Sequence, residues 1–185
     1  MTNNANSKIW GPSTWYTMHI IAYQLPQNNS IFPKNIKDNI VQFYTTLSDM
    51  LPCPSCKRDY KKILYLQKIK CSNGNQISRW TYDIHNHVNA KINKNRFLEQ
   101  DAKNIYLGEI NYKKIKKFVF HILELSNNKS VLYRKRLLTS FVFLLPSPGI
   151  KGKLQSYISK NPLEKVRLSK DMTLYIQSIS KLICT

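Results

Sequence analysis

Apolar residues recur at spacings of three and four along the chain from Gly11 to about Leu107, with polar residues between them. This period is typical of amphipathic α-helices, each of which buries one apolar face. The apolar positions fall into four groups: Trp15, Met18 and Ala22; Ile36, Ile40, Phe43, Tyr44 and Leu47; Ile63 and Leu64; and Ile77, Trp80, Ile84, Val88 and Ile92. The pattern predicts four helices that share one core, as in a helical bundle.

Turn-forming segments separate these groups. "YQLPQNN", "LPCP" and "CSNGNQ" interrupt the helical pattern in turn. Pro12 and Pro33 suit first-turn positions, where the missing N–H costs no hydrogen bond. The chain has neither a clear run of alternating apolar and polar residues nor a repeat of fixed period. We therefore expect an all-α protein and reject a βαβ fold.

The character of the sequence changes after about Leu125. "SNNKS" predicts a joint at residues 126–130, and the helix-like "VLYRKRLLTSFVFLL" that follows ends at "PSPG". Residues 127–185 hold 11 Lys or Arg against 2 Asp or Glu, a net charge of 11 − 2 = +9. We expect three parts: an N-terminal segment (1–10), a helical domain (11–107) and a basic, mainly helical extension (108–185).

Charge narrows the classes of partner but does not select one. The 185-residue chain carries a formal net charge of +19, which favours nucleic acid, an anionic membrane or an acidic ligand over a basic partner. Its richness in Asn, Lys and Ile is also what an AT-rich genome would produce, so nucleic-acid binding through the tail has weak support. The sequence has neither a secretory signal pattern nor an apolar run of about 18 residues, so we expect a protein made in the cytosol without a transmembrane segment.

Two cysteines lie close together in "LPCPSCKRDY", and three interpretations compete. Cys53, Cys56, Cys71 and either His85 or His87 would make a zinc set, although Cys71 has no partner at short spacing. A structural disulfide across two residues would close too small a loop to stabilise the fold much. A reducible redox pair is the third interpretation. In the cytosol, a close cysteine pair is more often catalytic or metal-binding than structural.

The residues around the pair favour redox chemistry. Pro54 suits the first helical position, which would place Cys53 at the helix cap and Cys56 in the first turn. Unpaired N–H groups and the helix dipole favour an anion there, and Lys57 and Arg58 follow directly. Both influences lower the pKa of a thiol, so the sequence predicts a dithiol with a high thiolate fraction at neutral pH.

Two further segments, "WGPSTWYTMH" and "WTYDIHNHVNAKINK", each carry aromatic rings beside hydrogen-bonding groups. On a helix, Trp15 and His19 share a face, as do His85 and Asn89. Two cations follow at the end of the second segment, namely Lys91 and Lys94. The segments could hold a planar aromatic cofactor with its phosphates near these lysines, or the rings could simply be core residues.

Taken in order, "WGPSTWYTMH", "LPCPSC" and "HNHVNAKINK" resemble the Erv/ALR family of FAD-linked sulfhydryl oxidases, and especially its short forms in large DNA viruses. The resemblance covers about residues 8–107 and leaves the tail from Ser126 unaccounted for. It implies a four-helix bundle with a short fifth helix, FAD at the mouth of the bundle, and a homodimer. A basic zinc-binding or nucleic-acid-binding module is the alternative.

The resemblance also implies roles for individual residues. Cys56 would be the thiol next to the flavin, and Cys53 the outer thiol that exchanges with a protein dithiol substrate. The implied reaction oxidises two thiols to a disulfide and reduces molecular oxygen to hydrogen peroxide through FAD, with no metal. The FAD-binding positions carried over are Gly11, Ser13, Thr14, Trp15, His19, Cys56, His85, Asn86, Val88, Asn89, Lys91 and Lys94. The viral resemblance further implies a location in cytoplasmic viral factories of the host and in the virus particle.

The chain departs from the family pattern in its other cysteines. Many cellular members carry a second cysteine pair at the positions of Tyr82 and Glu99, so that disulfide is absent here. We expect the fifth helix, near "FLEQDAKNIYLGE", to tighten the site instead. Cys71 and Cys184 match no family cysteine, and we expect them to be unpaired thiols; a pair that shuttles electrons is the alternative.

Overall fold

The computed structural model describes residues 7–125, 130–166 and 169–184, and the regular secondary structure of these residues is helical, without a β-strand. The predicted all-α class is confirmed. Nine α-helices and one short 3₁₀ turn (Leu163–Lys165) lie within the described residues. The α-helices are α1 (Ser7–Tyr23), α2 (Lys34–Met50), α3 (Pro54–Leu66), α4 (Gly74–Lys91), α5 (Glu99–Tyr106), α6 (Tyr112–Glu124), α7 (Val131–Leu144), α8 (Pro148–Lys160) and α9 (Ser169–Leu182).

Helices α1, α2 and α4 share the core that the periodicity predicts, and α3 packs beside α2. Tyr44 of α2 is fully buried, and its hydroxyl donates to the carbonyl of Met18 in α1 (2.8 Å). Having used its one hydrogen, the same hydroxyl accepts from Thr81 of α4 (3.0 Å). One satisfied polar side chain thus joins three helices inside an apolar core, where an unpaired hydroxyl would be destabilising.

The start of α1 differs from the prediction. The helix begins at Ser7, so Pro12 is its sixth residue and lies inside it; the first-turn position expected for Pro12 is wrong. Pro33 is likewise the residue before α2 and not part of its first turn. Proline inside a helix removes one backbone hydrogen bond. The hydroxyls of Ser13 and Thr14 both donate to the carbonyl of Trp10 (2.9 Å each) and add hydrogen bonds in this part of α1.

The end of α4 also differs. Ile92 is predicted to continue the apolar face, but α4 ends at Lys91 and Ile92 is 53% exposed. Asn93 adopts a left-handed conformation (φ 54°), and the N–H of Lys94 donates to the carbonyl of Asn89 (2.8 Å). This is the Schellman arrangement with asparagine in the position usually held by glycine, and it turns the chain off the helix axis.

The C-terminal helices pack on the bundle. Helix α6 lies against α1, α7 against α2, and α9 against α6, with α8 between α7 and α9. Helices α5 and α7 lie where the sequence predicts them, while residues 126–129 of the joint predicted at 126–130 fall outside the described residues. The division into parts at residue 107 stays a prediction. No helix in the described ranges has the length and apolarity needed to cross a membrane.

Candidate redox site

Cys53 and Cys56 form a disulfide at the start of α3. Cys53 is the N-cap, its sulfur accepts from the N–H of Cys56 (3.2 Å), and Pro54 is the first helical residue. The predicted cap geometry is therefore confirmed. Cys53 is 6% exposed, whereas Cys56 is only partly buried, so Cys56 is the more exposed residue of the pair.

Ion pairs orient α3 against its neighbours. Lys91, in the last turn of α4, pairs with Asp59, three residues after Cys56. Lys61 pairs with Asp49 of α2 (2.6 Å). The first pair holds the C-terminal end of α4 against the half of α3 that carries the disulfide. The predicted cysteine motif and the end of the second predicted cofactor segment therefore meet at one end of the bundle.

Aromatic and imidazole rings from three helices and one loop meet between α1, α4 and α5, and we call them the ring cluster. The indole of Trp15 stacks on the imidazole of His85 (centroids 4.1 Å apart, planes 7° apart), and His19 stacks on Tyr106 (4.4 Å, 4°). The members are Trp15, His19, Tyr23, His85, Phe97 and Tyr106. The two predicted cofactor segments thus contact each other directly, through Trp15 and His19 of α1 and His85 of α4.

The two histidines of the ring cluster are neutral near pH 7. Nε2 of His19 and Nδ1 of His85 are 2.9 Å apart, so one imidazole donates to the other. Burial, and then the charge of Lys94, lower the pKa of His85 to about 4. Burial, and then His85, lower the pKa of His19 well below its ordinary value. Nδ1 of His19 is buried and has no hydrogen-bond partner within the described residues.

The residues that follow α4, 92–98, return along the helix, and we call them the strap. Asn86 fixes the strap through both ends of its amide: Oδ1 accepts from the N–H of Phe97 (2.7 Å) and Nδ2 donates to the carbonyl of Phe97 (3.0 Å). The ring of Phe97 then lies 5.6 Å from that of His85. Because the side chain of Asn86 is committed to Phe97, its role in this structure is to position the strap.

Helix α5 closes over α1 and α4 without a disulfide. Arg79 of α4 contacts both Asp83 and Glu99, each at 3.0 Å, and its guanidinium lies 5.4 Å from the ring centroid of Tyr82. Tyr82 is 3% exposed, so a buried ring occupies one position where many cellular members of the resembled family carry cysteine. The expectation that the α5 region helps to tighten the site agrees with these contacts, to which Tyr106 adds its stack on His19.

The remaining predicted residues lie in or near the same end of the bundle. Gly11 is partly buried, and the space where a Cβ would stand has no atom within 4 Å. Val88 is partly buried, Asn89 is 9% exposed, and Lys94 is exposed just past the end of α4. The hydroxyls of Ser13 and Thr14 are used within α1, so these two side chains serve the helix in this structure.

The sequence predictions missed three members of the ring cluster: Tyr23, Phe97 and Tyr106. Phe97 is an isolated aromatic in the polar segment "NKNRFLEQ", which is the one local signal that could have indicated it. Tyr106 lies in the predicted fifth-helix segment, but its contact with His19 joins residues 87 positions apart and is set by packing alone.

The other two cysteines are free. Cys71 is buried, and burial raises the pKa of its thiol, while Cys184 is exposed. The Cys71–Cys184 pair considered from the sequence is therefore not formed. The zinc alternative loses two of its thiolates to the disulfide, and within the described ranges no cluster of three His, Cys, Asp or Glu could hold a metal ion.

Comparisons with known proteins agree with this geometry. The family model described as Erv1 / Alr family matches residues 12–107. A protein of frog virus 3 named as a FAD-linked sulfhydryl oxidase is 36% identical over 98 residues, which are 52% of this chain and 65% of that protein. The FAD-linked sulfhydryl oxidase of an African swine fever virus isolate is 28% identical over 97 residues (52% and 79%), and that of Arabidopsis thaliana is 30% identical over 84 residues (45% and 42%).

This chain thus spans slightly less than two thirds of the frog virus protein and less than half of the plant protein. No solved structure matches the chain. The family match covers residues 12–107 of the 185 in the chain, which is more than half of its length, and it includes the disulfide and all members of the ring cluster. The resemblance noted from the three sequence motifs is confirmed, and the chain belongs to the Erv1 / Alr family.

Proposed function

We propose that this protein is a FAD-linked sulfhydryl oxidase that converts protein dithiols to disulfides and reduces molecular oxygen to hydrogen peroxide. The observation that carries the proposal is the Cys53–Cys56 disulfide at the start of α3, a helix whose Asp59 pairs with Lys91 of α4, in a chain of the Erv1 / Alr family; α4 also contributes His85 to the ring cluster. The names of the viral and plant relatives supply the reaction type.

The disulfide would react by thiol exchange. A substrate thiolate attacks the sulfur of Cys53, the Cys53–Cys56 bond breaks, and its electron pair leaves on Cys56 as a thiolate. A second substrate thiolate then attacks the substrate sulfur of this mixed disulfide and releases Cys53 as a thiolate. The products are a substrate disulfide and a reduced pair, so two electrons enter the protein at Cys53 and Cys56. The helix start favours the anion formed at Cys56.

The residues of the site fit a flavin dinucleotide. Open space beside Gly11 and the buried, unpartnered Nδ1 of His19 suit a ligand that packs closely and carries hydrogen-bonding groups. Trp15 and His85 offer ring faces for stacking, and Lys91 and Lys94 offer positive charge for phosphates. Bound FAD would supply a two-electron acceptor that can be reoxidised by oxygen. The family resemblance makes Cys56, the more exposed residue of the pair, the one beside such an acceptor.

The proposal is tested on the purified full chain. We expect a flavin absorption spectrum, and oxygen uptake that depends on an added protein dithiol. Cys56→Ser and Cys53→Ser should each abolish uptake and leave FAD bound, because neither supplies the only contact to the cofactor. Cys71→Ser, which changes a cysteine outside the disulfide, is the matched control and should keep activity. A folded protein that neither contains nor takes up FAD would refute the proposal.

A second candidate function is polyanion binding by the C-terminal helices, and one observation favours it. Lys113, Lys116 and Lys117 of α6 are exposed and make no ion pair among the described residues. Nucleic-acid binding through these side chains should weaken steeply with salt. Replacing all three by Gln should lower affinity for a DNA duplex and reduce the salt dependence, while Cys53→Ser should not. Unchanged affinity in the triple variant would exclude this surface.

Assembly and location are also proposals. We propose a homodimer, supported by the family resemblance and by apolar side chains that are exposed around α5: Leu98 (59%), Ile105 (45%) and Leu107 (50%). Helix α1 packs on α6 and helix α2 packs on α7, so those faces of α1 and α2 cannot form the dimer interface. Light scattering gives the mass of the particle in solution directly.

We propose that the protein acts in the host cytoplasm and is packaged into the virus particle. Immunoblots of infected-cell fractions and purified particles would test this location.

A further inference from the structure

Two hydrogen-bond donors converge on the sulfur of Cys53. The N–H of Cys56 lies 3.2 Å from it, and the hydroxyl oxygen of Ser55 lies 3.0 Å from it. In the disulfide Cys53 carries no hydrogen on sulfur, so the hydroxyl of Ser55 must be the donor. Among the described residues no donor meets the sulfur of Cys56. The hydrogen bonding of the two sulfurs is therefore asymmetric, and Ser55, which lies between the cysteines, creates part of the asymmetry.

We propose that Ser55 sets the reduction equilibrium of this pair by stabilising the thiolate of Cys53. The inference rests on the proposed oxidase function, because it assigns a role within the exchange reaction of the same disulfide. Ser55 acts through Cys53 and is therefore a positioning residue for that sulfur. Its side chain is exposed, so the hydroxyl serves no packing role that would otherwise explain the contact.

The physical reason is that the acceptor strength of the sulfur changes with its redox state. A disulfide sulfur is neutral and accepts hydrogen bonds weakly, whereas a thiolate carries a full charge and accepts them strongly. The two donors on Cys53 therefore gain strength when the bond is reduced. Any contact that stabilises the reduced form more than the oxidised form makes the disulfide easier to reduce.

The same contact bears on the release step. When the second substrate thiolate attacks the mixed disulfide, the bond between the substrate sulfur and Cys53 breaks, and the electron pair leaves on Cys53. A sulfur that is more stable as a thiolate is the better leaving group. Ser55 thereby favours release of the oxidised substrate over persistence of the mixed disulfide.

Charged groups around α3 also act on this sulfur, and they must be held constant. Cations and ion pairs come from α3 itself, from α2 and from α4. They are Lys57 and Arg58 on α3, the Lys61–Asp49 pair with α2, and the Lys91–Asp59 pair with α4. None is altered by replacing Ser55, so a comparison of Ser55 variants isolates the hydroxyl.

The test uses the full chain and three variants. The pH dependence of alkylation, resolved by residue with peptide mass spectrometry, gives the pKa of Cys53, and equilibration with dithiothreitol buffers gives the reduction equilibrium. Ser55→Ala should raise the pKa of Cys53 by about one unit, since one hydrogen bond to a charged group is lost at an exposed position. At a pH above the pKa of Cys53 in both proteins, the pair should be about ten-fold harder to reduce, which corresponds to a potential about 30 mV lower.

Ser55→Thr, which keeps a hydroxyl, should behave as the wild type. Ser178→Ala removes a hydroxyl that bonds within α9 and should have no effect. Unchanged values in Ser55→Ala, or an equal shift in Ser55→Thr or Ser178→Ala, would overturn the proposal. These readouts do not need flavin: a protein without FAD or oxygen uptake would refute the oxidase, while the Ser55→Ala shift would still report on the disulfide.

Discussion

Acid should destabilise the protein through the histidines of the ring cluster. The pKa of His85 falls from its ordinary 6.5 to about 4 because the ring is partly buried and feels the charge of Lys94, and burial also lowers the pKa of His19. At pH 5 the folded chain therefore keeps both rings neutral, whereas the same rings in the unfolded chain are protonated. Below pH 6.5 the unfolded state binds more protons than the folded state. The contribution of these histidines to the free energy of unfolding is therefore complete above pH 6.5 and is lost as the pH falls towards 4.

The size of the effect follows from the two pKa values of His85. They differ by about 2.5, and each pKa unit corresponds to about 1.4 kcal/mol, so His85 alone contributes about 3 kcal/mol across the whole window. About 2 kcal/mol of this should be lost between pH 7 and pH 5. The carboxylate of Glu99, whose pKa is lowered from 4.5 chiefly by its hydrogen bond with Lys103, loses its contribution at lower pH and does not interfere.

Urea unfolding at pH 7 and pH 5, at equal flavin content, measures this loss. His85→Gln should reduce the difference between the two pH values by about 2 kcal/mol, because glutamine does not titrate, while His19 keeps its own contribution. His87→Gln changes an exposed histidine two residues away on the same helix and should leave the difference intact. If His85→Gln loses as much stability as the wild type between pH 7 and pH 5, the neutral, buried state of His85 is refuted.

Two further predictions concern the backbone around the site. Asn86→Ala should lower the free energy of unfolding by about 2 kcal/mol, because it leaves the N–H and carbonyl of Phe97 without these partners. It should also speed proteolysis within the strap, and an unchanged cleavage rate would contradict the role of Asn86 in fixing the strap. Gly74→Ala should destabilise by about 2 kcal/mol or more in urea unfolding, because a Cβ there would lie 2.1 Å from the carbonyl oxygen of Pro26. Gly149→Ala, which meets no atom within 4 Å, is its control, and an equal loss in both would show that the close approach is not the cause.

Local physical signals predicted the cap and the helices. Proline directly after Cys53 specifies the first helical position, and the period of three and four specifies the buried faces of α2 and α4. The boundaries were less predictable. Pro12 is tolerated inside α1, and Asn93 ends α4 before Ile92 through a left-handed residue that the apolar pattern does not register.

The site needed information that no local pattern contains. Asn86 is among the residues predicted to bind the cofactor, and in the structure both ends of its amide meet Phe97, eleven residues away. The stack of Tyr106 on His19 and the contact of Trp15 with His85 depend on how helices pack. The motif resemblance assigned cofactor-binding roles to residues of α1 and α4, but it could not separate those that hold the fold from those that are free to face a ligand.

The burial of α1 has a consequence for how the chain unfolds. Its buried residues lie on all sides, including Tyr16, Thr17, Ile20 and Ile21, because α4, α5 and α6 surround the helix. Elements that share one core usually lose it together, in a single cooperative transition. Helix α6 comes from the predicted extension and completes the shell around the helix that carries Trp15 and His19. The order of the C-terminal helices and that of the redox site are therefore coupled. Loss of structure in either part should also disturb the structure of the other.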